Sequence, residues 1–327
     1  MTTSTIGVDI AKDKFDVALY RDGQYQLAQF ANTAEGHRQL LKWLKKRQAQ
    51  GSHACLEATG QYGEALARAL HERGYPVSVV NPMRVKAYAA SQLKRNKTDR
   101  EDAKVLAHFC GSQPLTLWSP PPPEVVELQA LSHRLLTLKE ERTAELNRRQ
   151  SGICSEAVLQ DIADHIVFLE AQMATIEQRI ADLIDHHPHL RRQRELLTSI
   201  PGIGDITAAH FLAEVPDISR FHSAAQLAAY AGLTARHHQS GSSVHRPGRL
   251  SKVGNKRLRA ALYMPALSAK RFNPLIKDMV SRLEERGKRP MVIVGAVMRK
   301  LLHIPFGVLR SGRPFDPAIA AFRPSAS

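Results

Sequence analysis

Cysteine is scarce in this chain. Its 327 residues hold three, Cys55, Cys110 and Cys154, far apart and with no CxxC pair, which excludes a disulfide framework and a zinc knuckle. All three are expected to be reduced, buried and structural. Aromatic residues make up only 6% of the sequence, and no uninterrupted apolar run approaches the roughly 18 residues of a membrane span. No charged and apolar leader opens the chain, so the cytoplasm is the expected compartment, away from membranes. Internal repeats and low-complexity tracts are also missing. What is present, 43% hydrophobic and 24% charged residues, is the composition of a folded globular protein.

Acidic charge is missing from one long stretch. Between Arg236 and Arg313 eighteen Lys and Arg face only Asp278, Glu284 and Glu285, so this segment holds a surplus equal to the whole chain's formal +15. Elsewhere the two signs balance. A surplus confined in this way is the footprint of a polyphosphate partner, because Lys and Arg that neutralise phosphates release condensed counterions.

The first hundred residues read as a mixed α/β unit. Ser4 to Ile10, Asp16 to Arg21 and Gln24 to Phe30 are three short strands joined at Lys12-Asp13 and Asp22-Gly23. A helix over Thr33 to Gln48, a strand over His53 to Ala58, a helix over Tyr62 to Arg73 and a strand over Pro76 to Val80 follow. With a last helix starting near Thr98, the order is that of an RNase H-like fold.

Ser119-Pro120-Pro121-Pro122-Pro123 is a stiff joint, since proline fixes φ and lacks an N–H. Beyond it, Leu128, Leu131, Leu135 and Leu138, and then Ile162, Ile166, Leu169, Met173, Ile176, Ile180 and Leu183, keep heptad spacing. Two helices pairing within the chain and pairing between subunits fit this seam equally well. From Leu196 onward the chain reads as all-α. There Ser199-Ile200-Pro201-Gly202-Ile203-Gly204-Asp205 has the shape of a helix-hairpin-helix turn, with Gly202 and Gly204 free to approach a phosphate. Three regions result: an α/β catalytic domain over 1–118, coiled-coil helices over 119–190 and a helical domain over 191–327.

Four carboxylates stand out by placement. Asp9 lies inside the apolar strand Ile6-Gly7-Val8-Asp9-Ile10 and Glu57 at the end of Ala54-Cys55-Leu56-Glu57, where an acid needs a compensating cation or hydrogen-bond network. Asp99 and Asp102, three apart, share one face of the closing helix, although Asp99 also suits a helix start capped by Thr98. In an RNase H-like sheet these elements converge on one edge. Oxygen ligands gathered there favour Mg²⁺, with Mn²⁺ as an alternative, and one or two such ions can clamp a reacting phosphodiester.

Gly7-Val8-Asp9-Ile10-Ala11-Lys12, Leu56-Glu57-Ala58-Thr59-Gly60, Asn96-Lys97-Thr98-Asp99, Tyr230-Ala231-Gly232-Leu233-Thr234, Ser240-Gly241-Ser242-Ser243 and Arg249 to Asn255 occur in one order. With them the chain resembles the DEDD-type insertion-sequence transposases of family one-ten, relatives of the Piv DNA invertases. The resemblance runs from about Ile6 to Phe315. It implies a RuvC-like domain holding metal through Asp9, Glu57, Asp99 and Asp102, a coiled-coil insertion, and a transposase domain whose nucleophile is Ser240. It further implies an element-encoded bridge RNA pairing with donor and target double-stranded DNA, and a homo-tetramer, a dimer of dimers. Arg246, Arg249, Lys252, Lys256, Arg257 and Arg259 would then hold phosphates near the serine.

Other readings stay open at the level of the residues. A RuvC-like junction nuclease would hydrolyse with water and leave Ser240 idle, and a non-catalytic DNA-binding protein would leave the acids unexplained. An actin-like sugar kinase shares the opening strand but needs a second α/β half. His238 suits proton transfer less well than a phosphate contact. His186-His187-Pro188-His189 reads as a solvated turn rather than a metal cluster.

Overall fold

The computed structural model describes residues 4–58, 60–92, 98–240 and 244–318; the side chains of residues 61, 236–240 and 244–249 lie outside the description. The chain forms two compact units, Met1–Pro120 and Pro121–Ser327, divided within the proline joint.

In the first unit, β1 (Thr5–Ile10), β2 (Lys14–Arg21) and β3 (Gln24–Ala31) form an antiparallel meander. Asp22 and Gly23 both take positive φ, 50° and 80°, as a two-residue hairpin turn of the primed type requires. Next come α1 (Ala34–Lys46), β4 (His53–Glu57), a 3₁₀ turn at Gly60–Gly63, α2 (Glu64–Glu72), β5 (Val77–Val80), α3 (Pro82–Ser91) and α4 (Asp99–Ser112). The sheet order is β3-β2-β1-β4-β5, with β4 parallel to β1 and β5 parallel to β4. This is the RNase H-like arrangement.

Strand alternation assigns the two faces. Ile6, Val8, Ile10, Phe15, Val17, Leu19, Ala54 and Leu56 point into one core with Leu40 and Leu44 of α1 and Leu66 and Leu70 of α2. Residues of opposite parity face α4, where Ala18 meets Ala103 and Ala107. Gly7 explains why that helix lies so low. A Cβ there would stand 2.1 Å from the Ala103 carbonyl and 2.2 Å from the Ala107 nitrogen.

The second unit begins with α5 (Pro123–Arg149) and α6 (Glu156–His186), followed by α7 (Pro188–Thr198), α8 (Asp205–Glu214) and α9 (Ala224–Tyr230). Strands β6 (Ala235–Ser240) and β7 (Val244–Leu250) lead to α10 (Lys256–Ala261), α11 (Tyr263–Phe272), α12 (Pro274–Glu285) and α13 (Pro290–Ser311). The heptad seam is filled within the chain. Leu128, Leu131, Leu135 and Leu138 of α5 are buried, as are Ile162, Ile166 and Leu169 of α6. Arg142 pairs with Glu170 and Lys139 with Glu177, a descending register that makes the two helices antiparallel.

Two expectations are corrected here. The second domain is not all-α, because β6 and β7 form an antiparallel ribbon. Its sequence lacks an apolar stripe of either period, and Pro247 bars a helix, so pattern alone reads it as loop. Cys55 and Cys110 are buried as expected, but Cys154 is exposed. Helix α13, whose apolar run is interrupted by Arg299 and Lys300, is by length and composition able to cross a membrane, but 56% of its apolar window is buried inside the protein. Ile293, Val297, Leu301 and Leu302 of α13 join the core of the second unit, so its apolarity is used there.

Candidate active site

Asp9 and Glu57 sit near the C-terminal ends of adjacent parallel strands, on the face that α4 covers. The first turn of α4, capped by the Thr98 hydroxyl accepting from the Glu101 N–H, carries Asp99 and Asp102. The four acids therefore gather at one edge. Burial pushes the Asp9 carboxyl up to about 6, and the charges of Asp102, Asp99, Glu57 and Asp16 push the same way. Asp99 itself is exposed and accepts a hydrogen bond from Lys14 Nζ at 3.0 Å.

Among the described residues, no three His, Cys, Asp or Glu side chains already form a metal cage. The donor set is nonetheless all carboxylate oxygen, which suits a hard divalent cation. Lys14 stands in it as a positive charge, and the mutual repulsion felt at Asp9 is what a cation would relieve.

Asp16 is a fifth acid that the sequence reading passes over. It is directly opposite Asp9 in the β1–β2 register, 2% exposed, with both oxygens held by Gln29 Nε2 at 3.1 and 2.9 Å. The signal was the run Phe15-Asp16-Val17-Ala18-Leu19: once the hairpin register is known, alternation puts Asp16 beside Asp9.

In the second unit Ser240 ends β6 and pairs with Val244. Gly241, Ser242 and Ser243 lie outside the described residues, as do Thr59, Asn96 and Lys97, while the side chains of Ser240, His237, His238, Arg246 and Arg249 are not described. Lys252, Lys256 and Arg257 are exposed. Arg259 is half-buried, and its Nη1 donates to the Ala231 carbonyl at 2.8 Å. Gly202 packs closely against a helix. Its φ of 103° needs glycine, and a Cβ there would lie 2.7 Å from that of Ala269, so its bareness serves packing against α11. Gly204, by contrast, is exposed with open space beside it. His186 and His187 each bond a carbonyl one turn earlier, Asp182 and Leu183, as turn residues do.

The first unit is thus an RNase H-like sheet with an acidic edge, and the second carries the chain's basic surplus. Residues 194–281 match the transposase IS116/IS110/IS902 family, and residues 6–153 match a DEDD-type transposase domain. Over 327 residues the chain is 38% identical to a pilin gene-inverting protein of Moraxella bovis, covering 98% of this chain and 99% of that one. The same identity and coverage hold for a pilin gene-inverting protein of Moraxella lacunata. With the transposase for insertion sequence element IS1111A of Coxiella burnetii it shares 28% identity over 290 residues, 79% of this chain and 75% of that one. The chain belongs to the IS116/IS110/IS902 family of transposases and is a DNA recombinase.

Proposed function

We propose that the protein cuts and rejoins DNA through a covalent serine intermediate, guided by a bridge RNA in a tetramer with double-stranded donor and target DNA. The observation carrying this reading is the gathering of Asp9, Glu57, Asp99 and Asp102 on one sheet edge, in a chain whose relatives recombine DNA. Those acids would hold Mg²⁺ or Mn²⁺, which when bound lowers the pKa of an attacking hydroxyl and stabilises charge on the phosphoryl group. Ser240 Oγ attacks a phosphodiester: the Oγ–P bond forms, the P–O bond to the leaving sugar breaks, and the sugar oxygen takes up the proton. The freed partner strand then reverses this step on the serine ester and releases Ser240. Arg246, Arg249, Lys252, Lys256 and Arg257 hold phosphates without reading sequence, which falls to base pairing with the RNA. Gly204, open at the start of α8, offers a further phosphate approach.

The test is a denaturing-gel search for a protein–DNA adduct, with peptide mapping of the linked residue. Wild type forms the adduct at Ser240 and Ser240→Ala forms none, while Ala at Ser242 or Ser243 lowers the yield by degrees. Full recombination by Ser240→Ala would leave hydrolysis by the acidic edge as the better account.

A further inference from the structure

The C-terminal end of α8 buries a carboxylate that the reaction above does not use. Glu214 is 9% exposed. Its Oε1 accepts from His133 Nε2 of α5 at 2.7 Å and its Oε2 from Asn255 Nδ2 at 2.5 Å. Burial alone would push this carboxyl up, but the hydrogen bonds from His133 and Asn255 outweigh it and hold the group below its ordinary value. An anion doubly held inside a helical core is costly to leave unpaired, so its partners are fixed by it.

Asn255 is where this anchor meets the ribbon. Its side-chain oxygen caps α10 by accepting from the Leu258 N–H at 2.9 Å, and its backbone N–H donates to the Tyr230 carbonyl at 2.6 Å. From there backbone bonds climb in rungs: Lys252 N–H to the Gly232 carbonyl at 3.0 Å, then Ser251 N–H to the Thr234 carbonyl at 2.8 Å. The β6–β7 ladder continues from Ala235 opposite Leu250, through a register shift between Arg236 and His238, to Ser240 opposite Val244. The two loops at its foot are pressed together. A Cβ on Gly254 would stand 2.2 Å from the Tyr230 carbonyl, so that foot has no room to slide.

We infer that Glu214 is a positioning residue for Ser240: through Asn255 it pins the foot of the ribbon that carries the serine at its far end. The inference rests on the serine reading given above. Because in-line attack depends on alignment at the sub-ångström scale, loosening the foot slows bond formation on bound DNA rather than weakening DNA binding.

The test uses the full-length protein and measures the single-turnover rate of serine–DNA adduct formation at saturating DNA, beside DNA affinity and Tm. Glu214→Gln turns an amide N–H₂ toward one of the two donors, and Asn255→Asp sets carboxylate against carboxylate. In the double variant the polarity is whole again: the new amide at position 214 donates to the new carboxylate at position 255 and still accepts from His133, while that carboxylate still caps α10. Each single change is expected to slow the adduct step about tenfold or more per folded molecule with DNA affinity unchanged, and the double variant to return to within about threefold of wild type. Single variants with wild-type rates, losses explained wholly by unfolding or weaker DNA binding, or a double variant no faster than the singles would overturn the inference. Ser240→Ala separates the two claims: if it still forms the adduct, the serine reading falls and this one with it. If it is inert while the Glu214 and Asn255 variants run at full rate, only the positioning role falls.

Discussion

Replacing Gly7 by Ala tests whether the low seat of α4 holds the acidic edge together. The Gly7 backbone has an ordinary strand conformation, so alanine meets no dihedral penalty. Its Cβ would lie 2.1 Å from the Ala103 carbonyl and 2.2 Å from the Ala107 nitrogen, where 3.4 Å is the near limit of ordinary contact. The obstacle is helix backbone, and Ala103 and Ala107 offer no longer side chain to move aside. So α4 must rise by about 1 Å or the strand must buckle, an overpacking that costs roughly 1–3 kcal/mol. For a unit of this size that lowers Tm by on the order of 10 °C. The same rise carries Asp99 and Asp102 away from Asp9 and Glu57, and a misplacement of about 1 Å costs about a hundredfold in rate. Calorimetry and strand-exchange assays well below the lowered Tm read the two effects separately. Gly111→Ala is the control on the same helix: its Cβ would sit 3.5 Å from Thr5 Cγ2, an ordinary contact, and should leave both readings unchanged or raise stability slightly. Wild-type Tm and exchange in Gly7→Ala would refute the reasoning.

Asp102→Asn, which removes one charge while keeping the shape, should abolish strand exchange and leave DNA binding intact; near-normal exchange with Mg²⁺ as the divalent ion would count against a cation at the acidic edge. Ala at both Arg249 and Lys252 should weaken binding to all duplexes alike and flatten the slope of log affinity against log salt by about 0.9 per lost phosphate contact. Loss confined to one sequence, at unchanged slope, would mean that these residues read bases. Burial pushes His210 down from 6.5 to about 4, so the folded protein holds it neutral where the unfolded chain binds a proton. The stability due to this difference is whole above pH 6.5 and is lost as pH falls toward 4, by about 3 kcal/mol. Urea unfolding of the second unit should show that slope in wild type and a shallower one in His210→Gln.

How much of this is legible in the sequence depends on whether a periodicity marks it. The β1 to β5 strands follow apolar runs or alternation bounded by turn residues, and Asp22-Gly23 announces its turn, so the sheet and the edge holding Asp9, Glu57, Asp99 and Asp102 can be read directly. Thr98 as a cap is legible for the same local reason. Asp16 is not, because its meaning lies in a cross-strand register that no single strand states. Ribbon β6–β7 is hidden by its charge, since His, Arg and Ser carry no apolar stripe to count. Glu214, His133 and Asn255 lie far apart in the chain, and only the packing of α5 and of the start of α10 on α8 makes them one network. At Gly202 the residue type signals a close approach, and the group it approaches in the fold is Ala269.

The α5–α6 pair has a mechanical consequence. Leu128, Leu131 and Leu135 root α5 in the main core, whereas Leu138 lies outside that cluster and the helix beyond it runs along α6. Twelve residues from Leu138 to Arg149, at about 1.5 Å each, make a cantilever about 18 Å long. Its two struts pack along each other and are linked at the surface by Arg142–Glu170 and Lys139–Glu177. A tilt of about 10° at Leu138 would swing the far end by about 3 Å, given that length. Run backwards, the same lever reduces the displacement and multiplies the force. A load borne near Cys154 reaches the root of α5 as a small, strong twist, next to Gln129 and His133, which are bonded to Ala213 and Glu214 of α8.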